Sequence, residues 1–122
     1  MTGIDSWLER FGLDEGIRAR TAAVLGALPA SVLSDFVEDP AFTICDYEPL
    51  AGRMFFVPMQ LSGRAVVLKR TLRSRPAAFA NWVIAHELAH AHLRNGGRFP
   101  GEDPEKAADA LAEMWGFPKP GA

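Results

Sequence analysis

Trp82-Val83-Ile84-Ala85-His86-Glu87-Leu88-Ala89-His90 is the stretch around which the 122 residues of this chain organise themselves. It holds no glycine or proline and is apolar outside His86, Glu87 and His90, which predicts a helix set against a core. A helix turns about 100° per residue, so histidines four apart lie one above the other on one face. Both imidazoles can then reach a single cation. Glu87, one residue on, stands beside that cation rather than on it, where a general base for a metal-activated water belongs. This is the H-E-x-x-H arrangement of a zinc site.

Outward from this stretch, Ser74 is the expected N-cap, Pro76 sits in the first turn, and the helix is predicted over about 75–94. Asn95-Gly96-Gly97 then ends it with residues that tolerate positive φ. Phe79, Trp82, Val83, Ala89 and Leu93 accompany the histidines on the inward side. Upstream the period changes from helical to alternating. Phe42–Tyr47, Met54–Gln60 and Ala65–Arg70 read as three strands, with a turn over 48–52 and a hairpin at Ser62-Gly63. Pro58 places the middle strand at an edge or bulge. Strand 65–70, directly before the zinc helix, is the candidate edge for pairing with an extended peptide. Further upstream, helices are expected over 4–11, over 14–28 with Asp14 and Glu15 at its positive end, and from Pro29 or Ala30 to Val37. Downstream, Asp103-Pro104 opens a last helix that runs to about Trp115 and stops at Gly116.

A chain that is 48% hydrophobic and 23% charged has the composition of one globular domain spanning residues 1–122. Net charge is −2, which calls for no polyelectrolyte partner. Residues 1–48 hold nine acids against three bases, while Arg53 to Arg75 has six bases and no acid. That basic stretch is read as a solvated face, with attraction of acidic peptide or nucleic acid as the weaker alternative. A nucleic-acid partner is not expected. Cys45 is the sole cysteine, so an internal disulfide and a thiolate-rich metal site are excluded. The acidic start lacks a signal-peptide pattern and no apolar run is long enough to span a membrane, so a soluble, cytoplasmic setting is expected.

Two histidines are too few for a catalytic zinc, which takes three protein ligands and keeps a position for water. His92 lies about 240° round the helix from His86 and cannot share its metal. Leu93 and Gly96 stand where an H-E-x-x-H-x-x-G-x-x-H extension needs Gly and His. The third ligand must therefore be a carboxylate, from Glu102, Asp103, Glu105, Asp109 or Glu113. Glu105 has the preferred placement, with Glu113 and then Asp109 behind it. A first-turn Glu105 can reach the metal while Asp109, one turn later, accepts a hydrogen bond from a ligand imidazole and fixes its tautomer. Ala108 and Ala112 on the same face let the two helices approach closely.

His86-Glu87-Leu88-Ala89-His90 followed by Glu105-x-x-x-Asp109 resembles the gluzincins, zinc peptidases of thermolysin type. The small size, the helices preceding a sheet and the short interval between motifs resemble their minimal members, the ImmA/IrrE-type metallopeptidases of bacteria and phages. The likeness covers roughly residues 54–115. Many of those proteins carry a further acid in the second motif, where this chain has Lys106-Ala107-Ala108. The resemblance implies an α+β, zincin-like minimal domain: N-terminal helices, a small three-stranded sheet, an active-site helix and a C-terminal ligand helix. It also implies Zn2+ on His86, His90 and Glu105, Glu87 as base, and Asp109 orienting His86.

The expectation is a zinc-dependent endopeptidase that hydrolyses peptide bonds through a zinc-bound water, with a peptide or protein substrate along strand 65–70. Tyr47, His92 and nearby arginines are the candidate oxyanion donors. The rival expectation is a zinc-stabilised binding or regulatory module without turnover.

Overall fold

The computed structural model describes residues 3–48, 64–94 and 103–121. Within them the order is α1 (Gly3–Glu9), α2 (Glu15–Gly26), α3 (Ala30–Val37), β1 (Thr43–Tyr47), β2 (Ala65–Lys69), a 3-10 turn (Arg70–Ser74), α4 (Ala77–Leu93) and α5 (Pro104–Met114). Mixed α+β architecture is the result. Each helix lies within a few residues of its expected place. The strand expected over 54–60, the Ser62-Gly63 hairpin, the turn beyond Glu48, and Asn95-Gly96-Gly97 fall outside the described residues. Among the described residues the sheet has two strands, and no helix is long and apolar enough to cross a membrane.

α4 is the centre of the fold because its sequence is apolar nearly all round. Ala80, Ile84, Ala85, Leu88 and Ala89 are fully buried, and α2, β2, α3 and α5 all pack on it. α5 packs on it with Ala108 and Ala112 fully buried, small side chains that let two helices approach closely. β1 and β2 pair in parallel, with Ile44 opposite Val66. Ile44, Val66 and Leu68 point into the core, and Lys69 ends the strand facing solvent. The expected strand 65–70 loses Arg70 to the 3-10 turn.

Both ends of α4 correct the sequence reading. Ser74 closes the 3-10 turn, and Pro76 takes the N-cap position with φ −53° and ψ 143°. The cause is steric: a residue before proline is driven out of the helical region, and Arg75 is extended at φ −87°, ψ 160°. At the other end Arg94, not a glycine, adopts the left-handed conformation with φ 56°. Its side chain is held there by Asp35, whose Oδ1 accepts from Nη2 at 2.6 Å. By contrast α2 and α5 start as read. Asp14 accepts from the backbone N–H groups of Gly16 and Ile17, and Asp103 accepts from that of Glu105 with Pro104 following.

Among the described residues of the basic stretch, Arg64, Arg70 and Arg73 are tied down by ion pairs. Arg70 meets Asp46 at 3.1 Å and Arg73 meets Asp14 at 3.1 Å. Arg64 donates to Asp35, to Asp39 and to the Ala91 carbonyl, and lies 5.6 Å from the ring centroids of Phe36 and Phe42. His92 joins the same cluster, its Nδ1 2.8 Å from Asp35 Oδ2. This places His92 against α3, as its angle round α4 requires.

Burial alone would raise the Asp35 pKa, but hydrogen bonds from Arg64, Arg94 and His92 outweigh it and hold the carboxyl well below its usual range. At Asp39 the Ala41 N–H and Arg64 act in the same direction. Such depressed acids stabilise the fold fully above the unfolded value near 3.8, and that contribution fades as pH falls below it. Replacing Arg64 by Ala leaves Asp35 with Arg94 and His92 and Asp39 with the Ala41 N–H, and the lost charge-assisted hydrogen bonds are expected to cost about 1.5–3 kcal/mol at neutral pH. The loss should shrink below pH 4. Urea denaturation midpoints at pH 7 and pH 3 check both statements.

Candidate metal centre

Three ligand atoms converge where α5 crosses α4. His86 and His90 bring their Nε2 atoms to 3.1 Å from each other. Glu105 closes the triangle, with Oε1 3.0 Å from His86 Nε2 and Oε2 3.1 Å from His90 Nε2. The imidazoles come from the buried side, at 11% and 13% exposure, and the carboxylate comes from the solvent side at 64%. Among the described residues this is the group of His, Cys, Asp or Glu side chains that could hold a metal ion.

The donor chemistry suits a cation. Asp109 Oδ1 lies 2.8 Å from His86 Nδ1, and a carboxylate can only accept, so the ring hydrogen resides on Nδ1. In the neutral ring Nε2 then presents a lone pair, aimed at a carboxylate oxygen and at a second imidazole nitrogen. A hydrogen on His90 Nε2, or a metal ion in its place, supplies the positive partner such atoms need. A tetrahedral ion with bonds of about 2.0–2.1 Å spaces its ligands roughly 3.3 Å apart, close to the triangle observed. The residues fit the group.

The structure thus brings His86, His90, Glu105 and Asp109 together as read. Of the other carboxylates weighed, Asp103 caps α5 and Asp109 serves Nδ1 rather than the triangle, while Glu113 is exposed and outside the group. Glu102 lies outside the described residues.

Glu87 lies close enough to His86, His90 and Glu105 to feel their charge, and it also lines a groove of about 490 Å³ beside β2 and α4. Leu68, Leu72, Phe79 and Val83 make its apolar walls, Tyr47 stands on one side, and Lys69 and Arg75 are its cations. Burial raises the Glu87 pKa, and the neighbouring His86 and His90 only partly offset that. A carboxylate with a raised pKa is a better proton acceptor than one in open water. Tyr47 shares the groove with Glu87, whereas His92 is committed to Asp35 and is removed from the candidate oxyanion donors.

One participant is absent from the sequence reading. The Trp82 indole donates its Nε1–H to Asp109 Oδ1 at 3.1 Å, the same oxygen that accepts from His86. The signal was present, since Trp82 precedes His86 by four residues and so shares its face. The chain matches no protein-family model, no curated protein and no solved structure.

Proposed function

We propose that this protein is a zinc-dependent metallopeptidase of gluzincin type, with a zincin-like fold related to the ImmA/IrrE peptidases. The observation that carries the reading is the division of labour on α4. His86 and His90 meet Glu105, while Glu87, between them in sequence, borders both that group and a groove lined by a strand. A purely structural metal site has no use for the second feature.

When bound, the ion supplies Lewis acidity, lowering the pKa of a water toward about 7 and polarising a carbonyl. His86, His90 and Glu105 would hold it. Asp109 keeps the His86 hydrogen on Nδ1, so that Nε2 stays a donor of electrons. Glu87 accepts the proton of the attacking water and returns it to the leaving amine. Leu68, Phe79 and Val83 take an apolar side chain of the substrate and exclude water beside the reacting bond. The substrate backbone is read as lying along β2, whose N–H and C=O groups suit strand addition.

The test is cleavage of a mixed peptide library by the zinc-loaded chain, followed by mass spectrometry. Hydrolysis should stop with a chelator and resume with added zinc. A chain that binds one zinc and cleaves nothing would favour the rival reading, a zinc-stabilised binding or regulatory module.

A further inference from the structure

We propose that Trp82 is a positioning residue, whose indole N–H holds the Asp109 carboxylate in the one orientation that serves His86. The inference rests on the metal reading above and extends it by one step outward.

Trp82 and His86 lie one turn apart on the same face of α4, with ring centroids 5.7 Å apart. Their two N–H groups converge on a single oxygen of Asp109, at 3.1 Å and 2.8 Å. Asp109 reaches them from α5, and its side chain is 38% exposed. A carboxylate on that margin, held by one donor, would be free to swing toward water. Two donors from one rigid helix leave it a single rotamer. The shared oxygen also has its charge divided between two hydrogen bonds, so it orients the His86 hydrogen without drawing it away. On its other contacts the indole is equally fixed: Phe79 packs at 5.8 Å between centroids, and Lys119 Nζ lies 5.4 Å over the ring. An indole that merely filled space would satisfy its N–H on any acceptor. This one uses the oxygen through which α5 controls a metal ligand.

Outer partners of ligand histidines typically change metal affinity by about 10–100-fold. Trp82→Phe, which keeps the ring and loses the N–H, is expected to weaken zinc binding about tenfold, at the low end of that range. The measurement is competition with a chromophoric chelator. If Trp82 acts through Asp109, the same change made in an Asp109→Ala background should alter affinity less than about twofold. Trp82→His, retaining a ring donor, should recover part of the loss. Multiplicative effects of the two substitutions, or a folded Trp82→Phe protein with wild-type affinity, would overturn the proposal.

Should Trp82→Phe fail to fold, the zinc-loaded wild type answers instead. An indole N–H resonance shifted downfield, slow to exchange and lost in Asp109→Ala supports the bridge, and three indole resonances unaffected by Asp109→Ala refute it. A wild-type chain that binds no zinc would sink the metal reading itself, which is a different failure from an unchanged Trp82→Phe.

Discussion

Exchanging Glu87 for Gln is expected to lower peptide hydrolysis by about 10²–10⁴-fold while the chain keeps one zinc. The amide has nearly the shape of the carboxylate but cannot accept a proton from water. It lies outside the triangle of His86, His90 and Glu105, so metal content should not change. Stability supplies a second, opposite sign. Glu87 is half buried and its pKa is raised by burial, which means that the folded state disfavours its charge. Above the unfolded pKa such a group costs stability, so the metal-free Glu87→Gln protein should melt no lower than the wild type. Activity falling while the thermal midpoint holds or rises marks a residue kept for chemistry rather than for folding. Metal analysis, single-turnover kinetics and calorimetry together decide it. Turnover within about tenfold of wild type would dismiss Glu87 as the base, and loss of zinc would make it a ligand.

Much of this arrangement could be read from local spacing. His86 and His90 four apart on an apolar helix, Asp103-Pro104 as a helix start, and Glu105 with Asp109 one turn later each depend on contacts within a turn or two of one helix. The close approach of α4 and α5 is legible in Ala108 and Ala112, small residues on the face of α5 that carries Glu105 and Asp109, and both are fully buried. What sequence did not reveal depends on partners far along the chain. The alternating pattern of 42–47 and 65–70 is the same for parallel and antiparallel strands, so the parallel pairing of β1 with β2 was not legible. Arg64 looked like one charge in a solvated basic stretch, yet it is bound to Asp35 and Asp39, 29 and 25 residues upstream. Arg94 ends α4 in a left-handed turn because Asp35 grips it, and a glycine-based expectation has no way to see that grip. The same holds for Trp82, whose partner Asp109 is 27 residues away.

Removing Glu105 should have the largest effect on the metal. Glu105→Ala takes away the one of the three proposed ligands that comes from α5, leaving two imidazoles on one helix. Partners that touch a ligand indirectly already change affinity by about 10–100-fold, and loss of a ligand itself should exceed that range. The predicted order of damage is therefore Glu105→Ala, then Asp109→Ala, then Trp82→Phe. A competing explanation gives Glu105 no metal role, only a favourable charge in the first turn of α5, worth about 0.3–1 kcal/mol. The two accounts part in a thermal titration. At a free zinc concentration about 1,000 times Kd, binding stabilises a fold by roughly 4 kcal/mol, or about 16 °C for a domain of this size. Wild type should show that rise. Glu105→Ala should show almost none, and because the side chain is 64% exposed, its metal-free midpoint should barely differ from wild type. A helix-dipole role predicts the reverse pattern: a slightly lower midpoint without metal and an undiminished response to zinc. An undiminished response would release Glu105 from the site, and with it the link between α4 and α5 on which the peptidase reading depends.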